Sequence, residues 1–239
     1  MRDLPVMTRL GAPASGDGVT KALIACGAIA GPLFVAAFLV EGAARDGYDP
    51  MRQPVSSLAL GQRGWTQRAN FIATGLLMWA CSCGLRRRQH ADRDGSRWSP
   101  RLVGAYAVGL IGAGIFVTAP VRGYAPGPPA RPGSHANALH GAFSLLVFGA
   151  LTGSAFLEAR HFAVDGNRRW AIYSAATGAL VVIGLGLCGP GFAQADEDPA
   201  AAGLANVAGL IQRGTIAVGW SWLSLLALNR LRRKVPGSL

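Results

Sequence analysis

Six long apolar segments alternate with short polar stretches along the chain. Each segment has 20 to 27 residues, and a helix needs about 20 residues to cross the apolar layer of a bilayer. The stretches between them are rich in Arg, Gly and Pro, which neither fit a membrane interior nor extend a helix. The segments are 22–41, 66–85, 102–121, 136–157, 170–192 and 202–228. The pattern predicts an all-α protein, a polytopic transmembrane bundle of six helices.

The polar stretches are too short to hold a separate soluble domain. The longest, 42–65, has 24 residues, whereas domains usually have about 50 or more. We therefore predict an N-terminal tail (1–21), a six-helix transmembrane domain (22–228) and a basic C-terminal tail (229–239). The polar leader lacks the compact basic region of a signal peptide, so the first segment is expected to remain as a helix.

Composition supports a membrane protein. Hydrophobic residues make up 51% of the chain and charged residues 15%, whereas a soluble domain carries about 25% charged residues. Lys accounts for only two of the 23 basic residues, while Ala and Gly are abundant. This bias indicates a GC-rich bacterial genome. We therefore expect a multi-pass protein of a bacterial plasma membrane, with membrane lipids as its surroundings.

The basic residues predict an orientation and not a nucleic-acid partner. A net charge of +11 in a soluble protein would suggest nucleic-acid binding. Here sixteen of the 23 basic residues fall in the tails and stretches on one side of the predicted membrane, and six fall on the other side. The positive-inside rule then places both termini in the cytoplasm.

One basic residue, Arg213, lies inside the sixth apolar segment. It falls about eleven residues from the start of that segment, or roughly 16 Å along a helix, which is near mid-membrane. A central Arg costs about 2.5–3.5 kcal/mol and needs a partner or water. Three interpretations stay open: Arg213 joins helices through backbone carbonyls and one carboxylate, it binds an anion such as a lipid phosphate, or it extends to the membrane surface from a helix whose bounds differ from the predicted ones. The candidate carboxylates are Glu41, Asp46, Asp49, Glu158, Asp196, Glu197 and Asp198.

Three asparagines occupy similar places in the second, fourth and sixth segments. Asn70, Asn137 and Asn206 are spaced by 67 and 69 residues, and the chain has only five Asn. This spacing predicts three related helical hairpins around a shared axis. The asparagines either bind a ligand, or cap helices and hydrogen-bond to neighbouring helices. One face of the sixth segment is predicted to carry Asn206, Leu210, Arg213, Ala217 and Trp220.

His140 is the only histidine inside a predicted helix. A single histidine cannot form a bis-histidine haem site, and His135 is poorly spaced for joint metal binding, so no metal and no cofactor are expected. His140 is a candidate base or hydrogen-bonding group. The stretch before the second helix adds three more polar candidates, Arg52, Ser56 and Ser57.

The stretch "RQPVSSLALGQRGWTQRANFIATGLL" (52–77) is the most distinctive in the chain. Together with the His140 region and "GLIQRG" (209–214), it resembles the bacterial and archaeal membrane family catalogued as domain of unknown function 998. The resemblance covers residues 22–228. It implies a six-helix membrane protein without an assigned activity.

The polar residues favour binding or translocation of a lipid-like or small anionic ligand from the outer side. In this hypothesis Arg213 anchors the charge of an amphiphilic ligand and the other groups donate or accept hydrogen bonds. The predicted site comprises Arg213, His140, Asn70, Asn137, Asn206, Arg52, Ser56 and Ser57.

Two other functions remain open from the sequence. One is a membrane-embedded enzyme acting on a lipid head group, with His140 as base and Ser56 or Ser57 as its partner. The other is a structural or sensory membrane subunit, in which the polar groups only hold helices together. The sequence does not decide whether the protein is an enzyme.

Overall fold

The computed structural model describes residues 15–92, 98–121, 124, 135–197 and 202–232. Within these residues the chain forms six α-helices and two short 3-10 turns, Val55–Ala59 and Gly203–Asn206, and no named strand. The predicted all-α fold with six helices is confirmed. The helices are α1 (Ser15–Ala43), α2 (Gly64–Asp92), α3 (Ser99–Ile115), α4 (His135–Val164), α5 (Arg168–Glu197) and α6 (Ala208–Arg232).

Two helix boundaries differ from the predicted segments in ways that affect the site. α3 ends at Ile115 and not at 121, because Pro120 lacks an N–H and disfavours a helical conformation in the residue before it. α6 begins at Ala208 and not at 202, because Gly203 adopts φ +68° and belongs to a separate 3-10 turn. Arg213 therefore lies only five residues after the start of α6.

The six helices form a closed ring in chain order. Each helix packs against the next, and α6 packs back against α1. Small residues permit the closest approaches: a Cβ added to Gly31 of α1 would lie 2.3 Å from the Ser224 Oγ of α6. Large side chains such as Trp222 and Phe162 are fully buried between the helices. The ring therefore has a packed interior, and the site described below lies within it.

Apolar side chains cover much of the exterior of the ring. Leu145 is 77% exposed and Val40 is 66% exposed, whereas Gln67 and Glu158 are completely buried. Among the described residues, three helical stretches are long and apolar enough to cross a membrane: Asp17–Ala43, His135–Val164 and Arg168–Gln194. Large apolar side chains on the outside, around a core that also buries polar and charged side chains, differ from the surface of a typical soluble protein.

The segment between α1 and α2 folds over one end of the ring. We call residues 44–63 the capping loop and the end that it covers the capped end. The Val55–Ala59 turn of this loop is largely buried. Glu41 fixes the start of the loop, because its carboxylate pairs with Arg45 at 2.8 Å and with Arg63 at 3.1 Å. The capping loop is thus a packed element and not a mobile linker.

Candidate functional site

Arg213 holds the capping loop against α6. Only 8% of its surface is exposed. One terminal nitrogen, Nη1, donates hydrogen bonds to three backbone carbonyls, and the other, Nη2, donates to a phenol oxygen. The acceptors are Pro50 O at 2.6 Å, Gln53 O at 2.9 Å, Gly209 O at 3.0 Å and Tyr48 Oη. Three of these four residues belong to the capping loop, so Arg213 joins that loop to the helix.

Backbone carbonyls and the Tyr48 phenol, and no carboxylate of the described residues, accept the hydrogen bonds of Arg213. Several of the acids considered as its counter-ions pair with other arginines. These pairs are Glu41–Arg45 at 2.8 Å, Asp49–Arg52 at 3.4 Å and Glu158–Arg230 at 2.5 Å. The side chains of residues 196–198 lie outside the described part. Because α6 begins later than the apolar segment does, Arg213 lies five residues from the start of its helix and not eleven as expected, while its depth in a membrane stays a prediction.

Tyr48 completes the joint between the capping loop and α6. Burial raises the pKa of Tyr48 to about 12, although the neighbouring Arg213 acts in the opposite direction. The phenol therefore stays neutral at physiological pH, accepting from Arg213 and donating to Pro54 O at 3.0 Å. The guanidinium carbon of Arg213 also lies 5.3 Å from the centre of the Tyr48 ring, within reach of a cation–π contact. The sequence interpretation did not include Tyr48 in the site.

A cavity of about 90 Å³ lies beneath the capping loop, inside the ring. Its lining comes from five helices and from the Val55–Ala59 turn, and α5 contributes none of it. Most of the lining is apolar and includes Phe34, Phe71 and Trp220. None of the 15 lining residues carries a formally charged side chain such as Asp, Glu, Lys or Arg. The polar lining residues other than Tyr106 are His140, Ser144, Ser56 and Gln212.

His140 presents one ring nitrogen to backbone carbonyls. Its Nδ1 lies 2.8 Å from Phe116 O and 3.1 Å from Ala113 O. Carbonyl oxygens only accept hydrogen bonds, so Nδ1 carries the proton and Nε2 of the neutral ring is an acceptor. Nε2 has no hydrogen-bond partner among the described residues. The ring lines the cavity although only 6% of the residue is exposed to solvent.

Gln212 links the cavity to the capping loop. Its Oε1 accepts a hydrogen bond from the Val55 N–H at 2.9 Å. This contact fixes the orientation of the amide, because only the oxygen can accept from an N–H. Its NH2 group then has no hydrogen-bond partner among the described residues. Gln212 could have been predicted as a site residue, because the polar pair Gln212–Arg213 stands inside an apolar segment.

The three asparagines do not line the cavity. Asn70 donates to Phe34 O of α1 at 3.2 Å, and Asn137 accepts from Ala119 N, just after α3, at 2.8 Å. Each of these two bonds stays within its own helical hairpin. Asn206 lies in the Gly203–Asn206 turn and not in α6, so the predicted continuous face of the sixth helix is wrong. The idea of a common ligand role for the asparagines remains a prediction.

The other predicted site residues, Ser56, Ser57 and Arg52, do not all lie at the cavity. Ser56 lines the cavity together with His140. Ser57 is completely buried beside it but is not part of the lining, and its hydroxyl has no hydrogen-bond partner in the described part of the chain. Arg52 points away, with 48% of its side chain exposed.

The comparisons with known proteins identify the family. A protein-family model described as protein of unknown function (DUF998) matches residues 28–229. The chain belongs to the DUF998 family. The DUF998 match begins within α1 and ends within α6, so it includes the capping loop, Arg213 and every residue that lines the cavity. No significant match was found among curated proteins or among solved structures.

Proposed function

We propose that this DUF998 protein is an integral membrane protein that binds a lipid-like molecule in the cavity beneath the capping loop. The apolar exterior and the three helices of sufficient length and hydropathy support the membrane location. The excess of basic residues on one side supports a bacterial plasma-membrane protein with both termini in the cytoplasm. In that orientation the capped end faces outward and the cavity lies in the outer part of the membrane.

A single observation carries the binding proposal. The cavity is apolar over most of its lining, yet it contains the His140 Nε2 acceptor without a hydrogen-bond partner among the described residues. A hydrogen-bond donor that enters the cavity can therefore bond to Nε2 without displacing a protein partner. Ligand sites typically combine an apolar lining with a few polar groups that orient the ligand. At about 90 Å³ the cavity would hold the head group and first carbons of a lipid-like molecule, which would cover part of the apolar surface and satisfy His140.

Arg213 supports this function indirectly. It is not among the cavity-lining residues, and protein acceptors occupy its terminal nitrogens. It holds the capping loop, whose residues Val55 and Ser56 form part of the cavity wall. In this proposal Arg213 therefore builds the site and does not bind an anion.

The geometry favours binding over catalysis on a lipid head group. His140 and Ser56 line the same cavity, but no hydrogen bond joins them in the described part of the chain. A base activates a serine across about 2.6–3.2 Å, with a third group orienting the base. The carbonyls of Ala113 and Phe116 do orient His140. The structure therefore shows an oriented base but no contact between it and the Ser56 hydroxyl.

Native mass spectrometry of the purified protein tests the binding proposal. The key variant is Ser144→Phe, which fills the cavity, and the matched control is Leu145→Phe, whose side chain faces outward on the same helix. A lipid-sized adduct is expected on the wild type and the control, and not on folded Ser144→Phe. Equal adducts on all three proteins, or none on the wild type, would contradict binding in the cavity.

A further inference from the structure

The head-group chemistry of the cavity follows from the fixed orientations of two side chains. His140 uses Nδ1 for the carbonyls of Ala113 and Phe116, so it offers the cavity only an acceptor at Nε2. Gln212 uses Oε1 for the Val55 N–H, so it offers only donors through its NH2 group. Both residues line the same cavity. A ligand that satisfies both must donate one hydrogen bond and accept another.

The charge of the lining restricts the head group further. None of the cavity-lining residues is acidic or basic, apart from His140. A carboxylate or phosphate would bring an unpaired charge into a largely apolar space, and burying such a charge is very costly. It would also face the Nε2 lone pair of His140, which repels another acceptor. The nearby cation, Arg213, is already held by the capping loop.

We infer that the cavity binds a neutral amphiphile whose hydroxyl head donates to His140 Nε2 and accepts from the Gln212 NH2 group. This inference rests on the proposed function, because it assigns the ligand class of the same site. The hydroxyls of Ser56 and Ser144 line the cavity as well and adapt to either role. The apolar chain of the ligand then packs against side chains such as Phe34 and Trp220. Long-chain alcohols and diacylglycerols share this head chemistry.

Trp220 allows a direct test, because it lines the cavity and its fluorescence is quenched by bromine on a nearby ligand. The probes are a brominated long-chain alcohol, its methyl ether, the matching carboxylate and the matching alkane. The full-length protein in detergent is titrated with each probe. Quenching that disappears in Trp220→Phe reports binding in the cavity, since the other five tryptophans remain in both proteins.

The alcohol should bind at least about tenfold more tightly than the ether or the carboxylate, because a site built around hydrogen bonds rejects ligands that leave its polar groups unpaired. The variant His140→Phe should lose the preference for alcohol over ether. The Gln212→Met variant should weaken the binding of both the alcohol and the ether more than that of the alkane, because it removes the NH2 donor, while any loosening of the Val55 wall affects all the probes. The first variant removes the acceptor of the hydroxyl proton, and the second removes the donor to the hydroxyl oxygen.

The possible failures are distinguishable. If no probe quenches Trp220, the proposed binding function is wrong. If all four probes quench it with similar affinity, the cavity binds amphiphiles but the hydroxyl specificity is wrong. If the carboxylate binds most tightly, the neutral-ligand inference is overturned in favour of an anion site. A brominated diacylglycerol distinguishes a membrane lipid from a free alcohol as the source of the hydroxyl.

Discussion

Replacing Arg213 with methionine is expected to detach the capping loop from α6. Methionine fills a similar volume but donates no hydrogen bonds. Gly209 O is four residues before Arg213 in the same helix and retains its helical hydrogen bond. The carbonyls of Pro50 and Gln53 lose the partner that lies 2.6 and 2.9 Å away. An unpaired buried acceptor costs about 1–3 kcal/mol. Only the Gln53 contact is buried, since Pro50 is exposed, so the variant should lose about 1–3 kcal/mol of stability.

Unfolding of the purified protein in detergent measures this loss. Arg52→Met is the matched control, because Arg52 lies in the same loop but its side chain is 48% exposed and its ion pair with Asp49 spans 3.4 Å. Exposed ion pairs contribute about 0–1 kcal/mol, so the control should differ little from the wild type. Limited proteolysis adds a local measurement: the capping loop of Arg213→Met should be cleaved faster than that of the control.

One result would refute the structural assignment of Arg213. In that result, Arg213→Met unfolds at the same denaturant concentration as Arg52→Met and its capping loop is cleaved no faster. It has also lost the binding of an anion that the wild type binds. The four acceptors around the guanidinium would then contribute little, and Arg213 would be a ligand anchor.

Three further predictions concern other contacts. Gly209→Ala should destabilise the protein by about 1–3 kcal/mol in unfolding experiments, because a Cβ at this position would lie 2.6 Å from Gln53 O. The control Gly214→Ala should be neutral or slightly stabilising, because its Cβ would meet no atom within 4 Å. Glu158→Ala should cost about 3–5 kcal/mol, because it leaves Arg230, whose side chain is only 11% exposed, without its carboxylate. The double variant with Arg230→Met should recover part of that loss. The pKa of Tyr48 is raised from 10.0 to about 12, so the stability that the neutral phenol confers is present below pH 10 and is lost between pH 10 and 12. In equilibrium unfolding, the free energy of unfolding should fall less across that pH range for Tyr48→Phe than for the wild type.

The length and polarity of the apolar segments were sufficient to predict the six helices. A run of 20 or more apolar residues has few alternatives to a long helix when it must bury its own backbone hydrogen bonds. Helix ends were less predictable, because they depend on single residues. Gly203 separates a turn from α6, and "TAP" at 118–120 stops α3 before its apolar segment ends.

The details of the site depend on contacts between distant parts of the chain. Arg213 bonds to Pro50, 163 residues earlier, and Gln212 bonds to Val55, 157 residues earlier. No local pattern specifies that a polar loop folds inward and offers its carbonyls to an arginine. His140 was recognised from the sequence because a lone histidine in an apolar helix is conspicuous. The direction of its free nitrogen follows only from the carbonyls at Ala113 and Phe116.

Arg213 does not line the cavity, so its variants should have different effects from variants of the lining residues. Arg213 stabilises the capping loop, and that loop supplies part of the cavity wall, so Arg213 variants should lower stability and ligand affinity together. In the proposed site His140 and Gln212 contact the head group, so their variants should change selectivity between alcohol and ether more than they change the affinity for an alkane. An anion site would give the opposite pattern, with Arg213 controlling selectivity by charge. Measuring stability and selectivity for the same set of variants therefore distinguishes an arginine that builds the site from one that binds the ligand.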